Sequence, residues 1–132
     1  MICADTAFII DYLRENPEAG KKMEDIEENQ LAITVITSFE LYFGIFKGKN
    51  IKREQRLKDI EKILSRLVIF PMTHESAINA AKILGRLYRI GKPVNTLDCF
   101  IGAISLIHGC SKILTRNKRH YENIEGLTII EY

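Results

Sequence analysis

What this chain lacks narrows its function first. Its three cysteines, Cys3, Cys99 and Cys110, form no CxxC pair and no Cys/His ligand spacing, and each has apolar neighbours, so they read as reduced core residues. That usage favours the cytoplasm. The amino terminus has no basic n-region followed by a cleavable apolar segment, and no apolar run approaches the ~18 residues of a membrane span. Export and membrane insertion are not expected. P-loop, GxGxxG and Ser-His-Asp patterns are absent, which removes the main support for nucleotide-binding and serine-hydrolase functions. There is no large charge excess either, and a net charge of +2 does not by itself argue for nucleic acid. Linkers, low-complexity stretches and internal repeats are missing, so residues 1–132 read as one domain, long enough to bury a single core. With 46% hydrophobic and 27% charged residues, the composition is that of a soluble globular protein.

What is present is an alternation of short β-branched runs with longer amphipathic stretches, the pattern of βαβ units around a parallel sheet. Strands are expected at 2–4, 32–36, 68–70, 112–115 and 128–130. Helices are expected at 6–15, 17–27, 38–46, 51–66, 74–90 and 97–108, with Gly91 and Gly109 as C-terminal stops. Residues 47–50 and 116–123 are the loose stretches.

Three acids fall where a strand should hand over to a helix: Asp5 in ICADTAFII, Glu40 in ITVITSFELYFGI and Asp98 in NTLDCFIGAISL. The segments around Asp5 and Asp98 are nearly all apolar and must be buried, and a buried carboxylate is costly unless a cation compensates it. Hard oxygen ligands select Mg²⁺ or Mn²⁺, ions that activate water against phosphoryl groups. Ligands in open parallel sheets bind beyond the carboxyl ends of strands, so one sheet edge can collect all three acids. Each also has a plainer role: Asp5 as an N-cap, Glu40 as the end of a Thr37-Ser38-Phe39-Glu40 capping box, and Asp98 as a negative charge in a first helical turn. Capping does not exclude ligation, because a carboxylate has two oxygens.

Three separated motifs carry a resemblance to a known family: ADTAFIIDYL at the start, ITSFELYFG in the first third, and NTLDCFIGAISLIHGCSKILTRNKRHYENIEGLTII at the end. In this order and across the whole chain they resemble the PIN-domain ribonucleases, and among them the VapC-type toxins of prokaryotic toxin–antitoxin pairs. The resemblance implies a three-layer α/β/α sandwich with a central, mainly parallel sheet. It also implies a metal-dependent endoribonuclease with Mg²⁺ or Mn²⁺ as cofactor, a small cognate VapB-type antitoxin, and a homodimer. Asp5, Glu40 and Asp98 carry over as the acidic site residues, and transfer or ribosomal RNA as the substrate class. Many PIN proteins place a fourth acid where this chain has Asn117, whose amide oxygen can coordinate a hard cation or hold a water but adds no charge.

On this reading Asp5 and Asp98 are direct ligands and Glu40 a ligand or an orienter of metal-bound water. Asn117 is a neutral member of the site, while Thr6, Ser38 and Thr115 stand beside the acids, able to hydrogen-bond them or to act as caps and turn residues. Asp11 reads as a solvated helix position, His74 and His108 as structural, and His120 as a packed loop residue. Basic residues gather at Lys47, Lys49, Lys52, Arg53, Arg56 and Lys58, and again at Lys112, Arg116, Lys118 and Arg119. An acidic pocket repels a phosphate backbone, so Arg116, Lys118 and Arg119 are expected to bind the RNA at its rim. Helices 38–46 and 51–66 offer an apolar groove for an antitoxin helix through Leu41, Phe43, Ile45, Phe46, Ile60 and Leu64, although some of these residues must form the core. The dimer interface is expected on other apolar surface, with helix 74–90 as the candidate. Two other functions share these residues: a PIN nuclease acting in RNA processing or on DNA ends without an antitoxin, and a non-catalytic RNA-binding module. A neighbouring small antitoxin gene separates the first from a toxin, and metal-dependent RNA cleavage separates the second.

Overall fold

The segment Ile-Cys-Ala at the start of the chain forms the central strand because both of its faces are apolar and both of its edges are paired. In the computed structural model, which describes residues 1–26, 30–49 and 51–132, β1 (Ile2–Ala4) lies between β2 (Leu31–Thr34) and β4 (Lys112–Leu114). β3 (Val68–Phe70) and β5 (Thr128–Ile130) form the edges, giving the order β3-β2-β1-β4-β5 with every pairing parallel. Cys3 aligns with Ala32 on one side and with Ile113 on the other.

Side chains alternate across the sheet, as the pleat requires. Ala4, Leu31, Ile33 and Leu114 point into a cluster with Phe8, Ile9, Leu41, Ile45, Ile60 and Ile63, and so pack against α1 (Thr6–Leu13), α3 (Val35–Phe46) and α4 (Arg53–Leu64); Ala19 of α2 (Pro17–Asp25) belongs to the same cluster. Cys3, Ala32 and Ile113 point the other way, toward Leu87 of α5 (His74–Arg89) and Ile101 and Ile104 of α6 (Thr96–Ile107). Both faces are thus covered, which is what an all-parallel sheet demands, and the three-layer arrangement expected from the sequence is present. Each fully buried Ile, Leu or Phe contributes about 1.5–3 kcal/mol of transfer free energy. Cys3, Cys99 and Cys110 are buried and unpaired, in keeping with reduced core residues. Among the described residues no helix is long and apolar enough to cross a membrane.

β1, β3 and β5 have the expected bounds, and the sheet is wholly rather than mainly parallel. The main departure is at α3, which begins at Val35 instead of 38. Val35 and Ile36 look like a continuing strand, but Thr34, the last residue of β2, is already an N-cap whose hydroxyl accepts from the Thr37 N–H. The expected capping box ending at Glu40 therefore does not form, and Glu40 sits in the second turn of the helix. The expected end of α2 at residue 27 and the last residue of the loose stretch 47–50 lie outside the described residues.

Candidate active site

Four chain segments meet at the carboxyl edge of the three central strands. β1 ends at Ala4, and Asp5 immediately N-caps α1, accepting from the Phe8 N–H at 2.9 Å through Oδ1. Its second oxygen accepts from the hydroxyl of Thr115 at 2.5 Å, the residue that follows β4. One carboxylate therefore caps a helix and ties the ends of two neighbouring strands together. Asp98 reaches the same edge from the first turn of α6, whose cap is the Asn95 side chain. Glu40 reaches it from α3, where Oε1 accepts from the Thr6 hydroxyl at 2.7 Å.

Asp5 is only 3% exposed. Burial raises its pKa to about 6 against the hydrogen bonds from Thr115 and Phe8 that favour the carboxylate, and the nearby charge of Asp98 raises it further. Burial raises the Asp98 carboxyl as well, opposed by His120 and the Tyr121 hydroxyl. Among the described residues no Lys or Arg pairs with Asp5. Two carboxylates that are costly to ionise and repel one another fit a hard divalent cation, because each hydrogen bond to them engages only part of their acceptor capacity. The described residues do not form a ready-made cage of three ligands: Glu40 is drawn to Thr6, and Asp98 to His120 and Tyr121.

The other expected site residues are distributed around this pair. Thr115 is fully buried on Asp5, and Thr6 holds Glu40 while also reaching the Thr37 hydroxyl at 3.2 Å. Ser38, half-buried one residue further along α3, is not part of that chain of contacts. Asn117 joins the site through its main chain, its N–H donating to the Thr115 hydroxyl at 2.8 Å. The residue also lines an adjoining cleft of about 540 Å³ with Arg116, Lys118, Arg119, His120 and Glu122. Arg116 is not wholly committed to that rim, since Nη1 lies 2.9 Å from Asp11.

Two sequence expectations are corrected here. Asp11 is not a solvated helix position: it is 6% exposed, ion-paired to Arg116, and accepts from the Tyr132 hydroxyl at 2.7 Å. His120 is not a packed loop residue, because its ring is half exposed and Nδ1 lies 2.9 Å from Asp98 Oδ2. Sequence reasoning also missed Tyr121, which donates to Asp98 Oδ1 at 3.3 Å. The only signal available was the adjacency of His120 and Tyr121 to the rim cations. His108 is structural as expected, stacked on Phe70 and hydrogen-bonded to the Pro71 carbonyl.

A groove of about 460 Å³ leads away from Glu40 and Thr6 between α1, α3 and α4. Phe39 and Phe43 line it and are exposed; Phe46, also exposed, stacks on Tyr42 and does not line it. Of the residues expected along this groove, Leu41, Ile45 and Ile60 line it as a floor shared with the core, at most 5% exposed, whereas Leu64 packs in the core and does not line it. Arg14, Lys47 and Arg56 stand along the groove, with the Lys47 ammonium over the Phe43 ring.

Comparison with known proteins converges on one group. The family model described as PIN domain matches residues 2–126. A protein named ribonuclease VapC1, from Rickettsia felis, is 32% identical over 96% of this chain and 92% of its own length. A tRNA(fMet)-specific endonuclease VapC from Salmonella typhimurium is 28% identical over 97% of this chain and 95% of its own. Among solved structures, the DNA-bound VapBC of Salmonella typhimurium superposes with a TM-score of 0.87 and 28% identity, covering 98% of this chain and 96% of that one.

Proposed function

Because this chain belongs to the PIN domain family, we propose that it is an endoribonuclease, that it serves as the toxin of a toxin–antitoxin pair, and that Asp5, Asp98 and Glu40 hold the divalent cation on which its cleavage of RNA depends. The observation that carries this reading is the buried carboxylate of Asp5 with the partly buried Asp98 close enough for its charge to act on Asp5, at the carboxyl edge of the central strands and without a Lys or Arg partner on Asp5 among the described residues. The relatives named as VapC ribonucleases support the RNA substrate, and the relative named for tRNA(fMet) supports transfer RNA as its class.

A Mg²⁺ or Mn²⁺ ion at these carboxylates supplies Lewis-acid chemistry toward water and phosphoryl oxygen. The protein's own contribution is placement. Thr115 and the Phe8 N–H fix both oxygens of Asp5, Tyr121 fixes one oxygen of Asp98, and Thr6 holds Glu40 beside them. Such outer hydrogen bonds set the orientation of ligands. Lys118 and Arg119, with the outward part of Arg116, line the adjoining cleft and offset the repulsion between the acids and an incoming phosphate backbone. A recessed site of this kind suits single-stranded or looped RNA, whose backbone can splay.

The partner surface proposed for a VapB-type antitoxin is the groove bordered by Phe39 and Phe43. It is apolar, flanked by cations, and ends at Glu40, so a segment lying in it reaches the acidic site. The solved VapBC assembly supports such a pairing. A homodimer through α5, which exposes Ile78 and Tyr88, belongs to the same proposal.

The deciding experiment is cleavage of a mixed RNA pool with and without Mg²⁺, using the parent protein and folded Asp98→Ala. Cleavage by the parent that requires Mg²⁺ and disappears in the variant is expected. Cleavage that survives in folded Asp98→Ala removes the site assignment.

A further inference from the structure

His120 and Tyr121 are neighbours in sequence, yet they hold Asp98 in different ways. Tyr121 is 1% exposed, packed in the cluster that includes Ile101 and Ile104 of α6, and its hydroxyl donates to Oδ1. The side chain of His120 is 49% exposed at the end of the short 3₁₀ turn Lys118–His120, with Nδ1 at Oδ2. Both oxygens of one carboxylate are thus held from a single segment, one by an anchored group and the other by a group at the surface. Withdrawing the phenol opens the core, whereas a half-exposed imidazole changes rotamer at little cost.

We propose that His120 is a displaceable guard of Asp98: it occupies the oxygen that a divalent cation takes, and on release it turns into the cleft of Arg116, Lys118 and Arg119 to contact the RNA backbone. The proposal rests on the reading of Asp5 and Asp98 as cation ligands. A divalent ion and an N–H donor draw on the same lone pairs of Oδ2, and the ion carries more charge, so it wins the oxygen. His120 also lines the cleft that Lys118 and Arg119 make attractive to phosphate, so the freed ring needs no loop movement to reach it. The two events are then coupled reciprocally. Cation binding releases a donor for RNA, and RNA that engages the ring leaves Asp98 open to the cation.

The test is Mn²⁺ affinity, measured by electron paramagnetic resonance on the full chain without RNA. His120→Ala is expected to bind Mn²⁺ roughly fivefold more tightly than the parent, the size of one part-exposed polar contact no longer displaced. With RNA, the same variant is expected to show a raised KM with kcat at saturating Mn²⁺ changed much less. In the unmodified protein, Mg²⁺ is expected to shift the imidazole ¹⁵N resonances of His120, and to leave them in place in Asp98→Asn. Should His120→Ala fail to fold, His120→Gln and this resonance shift carry the test. Unchanged or weaker Mn²⁺ binding in the variant, or an unmoved resonance in the parent, overturns the guard. Absence of Mn²⁺ binding by the parent, or binding that Asp98→Asn leaves intact, brings down the cation site itself.

Discussion

Asp5 carries its proton at a pH where an ordinary carboxyl has lost it. Its pKa of about 6 lies above the usual 3.8, so the folded chain binds that proton more tightly than the unfolded chain does. The resulting stability is complete below about pH 4 and is lost as pH rises through about 6. Asp5→Asn keeps an acceptor for the Phe8 N–H and gains a donor toward Thr115, yet carries no charge. In chelator at pH 7.5 it is expected to be more stable than the parent by about 1–3 kcal/mol, with the difference vanishing near pH 4; thermal melts at the two pH values check both limits. Thr115→Val acts in the opposite sense. It removes the hydrogen bond that favours the Asp5 carboxylate and leaves the Asn117 N–H unpartnered, so the acidic limb of the cleavage rate should move to higher pH, and stability should fall by roughly 1–3 kcal/mol. A pH–rate profile with an unmoved acidic limb separates Asp5 from the rate-determining ionisation. At this scale the sequence was half legible. Apolar flanks marked Asp5 as buried and overstated the burial of Asp98, which is only partly covered, and Asp11 was not readable, because its partners Arg116 and Tyr132 come from more than a hundred residues away.

Among the elements, α6 carries most of the site's geometry, since it presents Asp98 and packs against the segment that holds Tyr121. Gly102 sits on its buried side, where an added Cβ would lie 3.1 Å from methyl groups of Ile124 and Leu127. Those methyls end flexible side chains, and alanine regains about 1 kcal/mol of helix propensity. Gly102→Ala is therefore expected to change stability by less than about 1 kcal/mol. Gly102→Val adds two further methyls in the same space and is expected to cost about 1–3 kcal/mol and to weaken the Tyr121–Asp98 contact, seen as lost cleavage at a temperature where the protein is still folded. Element type followed from hydrophobic periodicity, and β1, β3 and β5 were readable to the residue. The start of α3 was not. Val35 and Ile36 are β-branched, Thr37 to Glu40 imitate a capping box, and only the tertiary placement of Thr34 decides between the two registers.

For the whole molecule, the decisive surface is the groove that runs from exposed Phe43 and Phe39 to Glu40. Co-expression with the product of an adjacent small gene is expected to yield a co-purifying complex in which RNA cleavage is suppressed. Phe43→Glu places a charge on the exposed ridge, where nothing in the chain's own core depends on the ring, and is expected to abolish co-purification so that the small protein no longer suppresses cleavage. A complex that survives this change locates the partner elsewhere. The likeness of three separated motifs made the three-layer fold legible. The groove was partly legible: Leu41, Phe43, Ile45 and Ile60 line it as expected, whereas Leu64 turns into the core and Phe46 lies outside the lining, a choice that the helical period alone does not make.

The strand order carries a consequence for the birth of the protein. β1 is synthesised well before its neighbour β4, and the residues completing the acidic edge, Asp98 and Thr115, emerge long after Asp5, Thr115 by 110 residues. A nascent chain that stops short of Thr115 has only the Phe8 N–H to hold Asp5, and its central strand lacks one of its two partners. Non-local parallel pairing of this kind is also slow to form. The acidic edge is therefore finished late, by a hydroxyl that arrives long after the carboxylate it holds, so the order of synthesis itself delays the moment at which the site is complete.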